Sequence, residues 1–177
     1  IFVFMIGGLT GLVLGSLATN VHVHDTHFVV AHFHYIVFGG TGYAFMAALH
    51  YWFPKMFGRM YDLGWANLGW GIFFIGFNAL YLPMFFLGMQ GMPRRYYDYL
   101  PDFHGGNIIS SLGAWVMISG IIIIFANLIR SARHGKKTTQ KNPWGGKTLE
   151  WQVETPPTLE NFEEIPTIEK GPYHFGE

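Results

Sequence analysis

The chain contains no cysteine in 177 residues. That excludes a disulfide framework, a thiolate-bound zinc or iron–sulfur centre, and a cysteine nucleophile. Charge is scarce as well: only 12% of residues are Asp, Glu, Lys or Arg, against about 25% in soluble domains. The eleven basic and eleven acidic residues cancel, which leaves no electrostatic case for nucleic acid. No basic flank of a signal peptide precedes the opening hydrophobic run, and the sequence reads as the C-terminal piece of a longer protein. Half of the residues are hydrophobic and 18% are aromatic. Together with the shortage of charge, this points to lipid.

The position of the few charges gives the architecture. None occurs before Asp25, between Asp25 and Lys55, between Asp62 and Arg94, or between Asp102 and Arg130. Each window can hold the roughly 20 apolar residues that cross a bilayer as a helix. The expected spans are residues 1–18, 26–53, 65–90 and 107–129. β-Strands would need short alternating segments, which are absent, so the predicted fold is an all-α transmembrane helix bundle of four spans. It covers residues 1–130, and a polar tail at 131–177 follows, extended and packed on the membrane face or partly disordered.

Lys55 and Arg59 fall in the loop after the second span. Arg130, Arg133, Lys136, Lys137 and Lys141 follow the fourth. This bias makes their side, and the tail, cytoplasmic. The loops around His24 and Arg94 then share the opposite face. Gly39, Gly40, Gly42, Gly69, Gly71 and Gly76 suit close helix contact in lipid, and Pro83 is expected to bend the third span. The run Ile121 to Ile124 reads as lipid-facing, and Met84, Met89 and Met92 as packing.

Five of the nine histidines lie between Val21 and Tyr35. His32 and His34 are two apart, a turn of about 200° on an α-helix, so they face nearly opposite sides and cannot share one metal ion. Either each hydrogen-bonds a neighbouring helix, or the helix is wedged between two separate centres. No Cys, Asp or Glu lies within the spans to complete a zinc or di-iron site. Aromatic and small neighbours suit a flat macrocycle held by an axial imidazole, that is, haem.

Asp25 or Thr26 either caps the following helix, or Asp25 joins His24 in a site for a hard cation. Arg94 and Arg95 either snorkel to lipid headgroups or pair with the carboxylates of a bound cofactor. His50 lies about 27 Å along the helix from His32 and serves no common centre with it. His22, His27 and His104 have no identifiable partner.

The run from His24 to Tyr35, HDTHFVVAHFHY, resembles the signature of haem–copper oxidase subunit I. Met92-Pro93-Arg94-Arg95-Tyr96 resembles its second hallmark, and Gly7-Gly8-Leu9-Thr10-Gly11 part of its ninth helix. The likeness covers about residues 1–130 and is strongest to bacterial aa3/caa3-type members. Asn142-Pro143-Trp144 and Leu149-Glu150-Trp151 extend it into the tail.

The resemblance implies the last four helices of a twelve-helix subunit in a bacterial cell membrane. It implies His32 as catalytic ligand of a high-spin haem iron and His34 as ligand of a low-spin haem iron, with haems of a and a3 type. Arg94 and Arg95 would hold haem propionates. His24 and Asp25 would join a magnesium or manganese site completed by oxidase subunit II. The implied activity is reduction of oxygen to water by electrons from cytochrome c, coupled to proton translocation. Copper B is implied too, with ligands upstream of this chain, so the chain alone is expected to be an incomplete enzyme. His27 departs from the family's usual Tyr or Phe and receives no role. A quinol oxidase of the same family, a non-catalytic membrane cytochrome and a purely structural bundle are the alternatives.

Overall fold

The computed structural model describes residues 1–138, 140–162, 165–167, 171 and 173. The polar tail predicted at 131–177 therefore lies in part outside the described residues. Among the described residues six α-helices carry the fold: α1 Phe2–Gly15, α2 Leu17–Val23, α3 His27–Ile36, α4 Tyr43–Phe57, α5 Leu63–Met89 and α6 His104–His134. No strand occurs among the described residues; residue pairs Thr26–Pro93 and Arg59–Lys137 form isolated bridges.

Helix occupies each of the four expected windows, with altered ends. The first stops early: α1 breaks at Ser16, and α2 continues at a bend of 102°. The second is α3, a π-helical stretch at Val37–Gly42, and α4 in succession. Three glycines lie in that stretch, where the widened turn costs little side-chain crowding. The third, α5, runs unbroken through Pro83, and the fourth, α6, is 31 residues long. Among the described residues, α5 and the segment containing α6 are each long and apolar enough to cross a membrane, as are α1 and α2 if counted together.

Two compact units divide the chain. The first comprises residues 1–46 and 64–124. Its core joins Val3, Val23, Phe28, Ala31, Tyr35, Phe77 and Phe85. Tyr35 is fully buried there, and its hydroxyl donates to Asn78 Oδ1 at 2.8 Å. The Asn78 amide in turn donates to Phe74 O at 2.9 Å, so this buried polar pair is satisfied internally. α5 and α6 meet backbone to backbone: a Cβ at Gly76 would overlap the Met117 nitrogen. Such contact replaces the hydrophobic drive that is missing between helices in lipid. Gly71, expected at such a contact, instead faces open space. Ile122 is exposed, but Ile124 is 1% exposed and packs on Gly69. Four consecutive residues cannot share one face at about 100° per residue, so the isoleucine run is not uniformly lipid-facing.

The second unit comprises residues 47–63 and 125–177. Lys55, expected in a loop, lies instead in α4 and is only 5% exposed. Its ammonium donates to Val153 O and Thr155 Oγ1, both at 2.8 Å, and to Lys141 O at 3.1 Å. It also lies 5.4 Å from the ring centre of Trp151, itself buried. The indoles of Trp144 and Trp151 donate to the carbonyl and the hydroxyl of Tyr51, each at 2.8 Å. Arg59 donates to Gly135 O at 2.7 Å. The described tail up to Thr155 is thus bonded to a charged group that the sequence had placed in a loop.

Gly76→Ala forces a methyl into the α6 backbone, and overpacking of this kind costs about 1–3 kcal/mol. Gly71→Ala meets nothing and gains up to about 1 kcal/mol of helix propensity. Thermal unfolding in detergent is expected to lower the midpoint for the first variant and leave it equal or higher for the second.

Candidate functional site

α3 begins where Thr26 turns the chain. The Thr26 hydroxyl accepts from Phe28 N at 3.2 Å and donates to Val23 O at 2.7 Å. Thr26, and not Asp25, is therefore the cap. From this fixed start the helix carries His32 and His34 to different neighbours. His32 Nδ1 lies 3.0 Å from Thr10 Oγ1 on α1, and a Cβ at Gly11 would lie 3.1 Å from His32 Cε1. The ring thus rests edge-on against the α1 backbone. His34 instead stacks on Tyr81 of α5, with ring centres 4.3 Å apart and planes 18° apart. Phe33 stands between them in sequence, 39% exposed, its ring 4.4 Å from that of His34.

The proton on His34 can be placed. Nδ1 lies 2.8 Å from Val30 O, and a carbonyl can only accept, so Nδ1 carries the hydrogen. Nε2 is then left with its lone pair, the state in which an imidazole binds a metal. Both rings are half-buried.

The loops before α3 and after α5 are joined directly. His27 N donates to Met92 O at 3.0 Å, and Arg94 N donates to Asp25 O at 2.9 Å. Above this backbone bridge, Arg94 Nε donates to Asp25 Oδ1 at 2.7 Å, and Nη2 reaches the same oxygen. His24 Nε2 lies 3.3 Å from Asp25 Oδ2. The hydrogen-bonded Arg94 guanidinium holds the Asp25 carboxyl below the usual carboxylate range, and the charges of His24 and Arg95 act in the same direction. Asp25 and Arg95 both adopt left-handed backbone, with φ of 55° and 68°. The chain turns sharply at each.

The structure therefore brings His24, Asp25 and Arg94 together, and sets His32 and His34 apart from each other. One edge of Arg94 is engaged by Asp25, while Arg95 is exposed. Among the described residues no three His, Cys, Asp or Glu side chains converge as a metal-binding group. His24 and Asp25 make a pair and need donors from elsewhere.

The remaining histidines sit outside these arrangements. His50 packs its ring 4.9 Å from Tyr61, and His104 Nδ1 lies 3.5 Å from the Tyr99 hydroxyl. The buried Nδ1 of His27 has no hydrogen-bond partner. Met92 is buried and accepts from the Asn107 amide at 3.3 Å through sulfur. Thr10 and Tyr81 were not singled out as contacts of the histidines. The signals for Thr10 were its hydroxyl in a largely apolar span and its place in Gly7-Gly8-Leu9-Thr10-Gly11, and Tyr81 gave none beyond aromaticity.

Residues 1–116 match the family model described as cytochrome c and quinol oxidase polypeptide I. The chain belongs to that family. Its relatives include cytochrome c oxidase subunit 1 of Thermostichus vulcanus, 46% identical over 173 residues, which are 98% of this chain and 31% of that protein. The subunit 1 of Bacillus sp. strain PS3 is 42% identical over 168 residues, 93% of this chain and 27% of that protein. A solved structure of a haem–copper terminal oxidase dimer aligns with a TM-score of 0.68 and 31% identity, covering 77% of this chain and 26% of that one. The chain spans about a third of the length of the curated relatives it matches. Membership in the oxidase polypeptide I family implies haem and copper as cofactors and an integral membrane protein, which the exposed apolar faces of α5 and α6 fit.

The Asp25–Arg94 pair has a defined pH signature. A depressed carboxylate pKa means that the pairing is complete above the ordinary value and is lost as pH falls through the lower, folded value. In chelator-treated protein, the infrared carboxylate band removed by Asp25→Asn is expected to remain more than half ionised at pH 3.8, the unperturbed value. Half-protonation at or above that pH would show that the pair does not form.

Proposed function

We propose that this chain is part of the catalytic subunit of a proton-translocating respiratory oxidase that takes electrons from cytochrome c and reduces oxygen to water. Haems of a and a3 type and copper B, when bound, supply the electron transfer and the oxygen chemistry. The protein's own residues bind and orient them. In this reading His32 would hold the iron of the high-spin haem and be the chain's catalytic residue, and His34 would hold the iron of the low-spin haem. Copper B is held by residues outside this chain.

Arg95 and the unengaged edge of Arg94 would bind haem propionates through charge-assisted bonds. His24 and Asp25 would supply one imidazole and one carboxylate to a magnesium or manganese ion, with oxidase subunit II completing the shell. The donor set fits a hard cation, since it contains no sulfur and one acidic oxygen donor. Oxidase polypeptide I works in a multi-subunit complex, and subunit II is the partner this pair requires. The basic residues Arg130, Arg133, Lys136 and Lys137 near the end of α6 support a cytoplasmic C-terminus in a bacterial cell membrane.

The observation that carries the reading is the disposition of two imidazoles on one helix. His32 lies against Thr10 of α1, and His34 lies against Tyr81 of α5. With Nδ1 of His34 tied to Val30 O, its Nε2 is available as a ligand. A single macrocycle cannot use both residues, and their different neighbours support a reading with two. Quinol is the other donor that the family description allows, but the relatives named as cytochrome c oxidases favour cytochrome c.

In the whole oxidase, His34→Leu is expected to remove the low-spin haem band while the carbon monoxide-binding haem stays. His32→Leu is expected to do the reverse. Absorption spectra of the reduced enzyme with and without carbon monoxide read both. Retention of the two haems in their native ligation by either variant contradicts the assignment.

A further inference from the structure

We propose that Thr10 is a positioning residue for His32: its hydroxyl oxygen accepts the Nδ1–H of the imidazole and so keeps the Nε2 lone pair directed at the iron. The inference rests on the reading of His32 as an axial ligand and adds to it the group that sets the ring's tautomer and donor strength.

The argument is one of counting protons. Thr10 Oγ1 has three polar neighbours: Ile6 O at 3.0 Å, Gly7 O at 2.8 Å and His32 Nδ1 at 3.0 Å. A threonine hydroxyl has one hydrogen to donate, and carbonyl oxygens can only accept. If that hydrogen pointed at His32, two carbonyls would face the Thr10 oxygen at hydrogen-bond distance with no proton between them. Pointed at a carbonyl of its own helix turn, the usual back-bond of a helical threonine, it leaves an oxygen lone pair toward Nδ1. His32 then donates, and Nε2 is the unprotonated nitrogen.

The second contact fixes the ring's place. Gly11, one residue after Thr10, lets the ring edge approach the α1 backbone, where even a methyl group would lie 3.1 Å from Cε1. Gly11 and Thr10 together make a seat with one polar point.

The two histidines are therefore held by acceptors of different kinds. His34 donates to a main-chain carbonyl of its own helix, Val30 O at 2.8 Å. His32 donates to a neutral hydroxyl, already engaged as a donor, on another helix. Hydrogen bonding at one ring nitrogen raises the basicity of the other, so removing the acceptor at Thr10 weakens His32 as a ligand without touching His34.

The test is resonance Raman spectroscopy of the reduced whole oxidase, reading the iron–imidazole stretching band of the high-spin haem in Thr10→Val and Thr10→Ser. Valine keeps the shape and removes the acceptor; serine keeps the acceptor. The expected result is a shift of the band to lower frequency in Thr10→Val, a band at the parent position in Thr10→Ser, and unchanged low-spin haem bands in both. An unchanged or raised frequency in Thr10→Val with the haem bound overturns the inference and leaves the axial assignment standing. Persistence of the parent band in His32→Gly overturns the axial assignment itself. If Thr10→Val fails to assemble, Thr10→Ala gives the same reading, because it too lacks the acceptor.

Discussion

The structure depends on one constraint: a helix advances about 100° per residue, so neighbours two apart on α3 cannot look the same way. In mid-helix a polar side chain must find its partner without water, since the bilayer core supplies none. His32 meets the requirement on α1, at Thr10, and His34 meets it on its own backbone, at Val30 O. Each solution ties up Nδ1. What remains on each ring is Nε2, the nitrogen proposed as a ligand, on rings that pack against different neighbours. The adjacent Tyr35, fully buried and bonded to Asn78, holds the helix against α5 and so fixes the rotation that both imidazoles inherit.

The entry to α3 is organised with equal economy. Thr26 caps the helix, His27 and Arg94 share backbone bonds with the opposite loop, and Asp25 reaches across to Arg94. The side chains proposed for the cation and for the propionates therefore belong to one bridged surface. The guanidinium that steadies the Asp25 carboxylate is also the one proposed for the propionates.

Much of this was legible in the sequence. Four windows without charge marked where the helical segments lie, and the spacing of His32 and His34 gave their divergence. Other features were not legible. The break at Ser16 lies inside an uninterrupted apolar run, where hydropathy carries no signal for a change of direction. Lys55 read as a surface charge because sequence pattern cannot show that carbonyls some 90 residues away will enclose it; the acceptors, Lys141 O, Val153 O and their neighbours, belong to the tail. Glycine content promised close helix contacts, yet only the structure separates Gly76, pressed on α6, from Gly71, which touches nothing. The run of isoleucines misled in the same way: composition suggested lipid, while the helical period buries Ile124.

The claim at the centre is that α3 presents two imidazoles, through Nε2, to two different irons. A density map of the whole oxidase, purified with its cofactors and resolved well enough to place both porphyrin rings, tests it most directly. The account predicts one macrocycle on each side of α3, with one iron bonded to His32 Nε2 and the other to His34 Nε2. A map in which both side chains approach the same ring, or in which either nitrogen meets lipid, contradicts it.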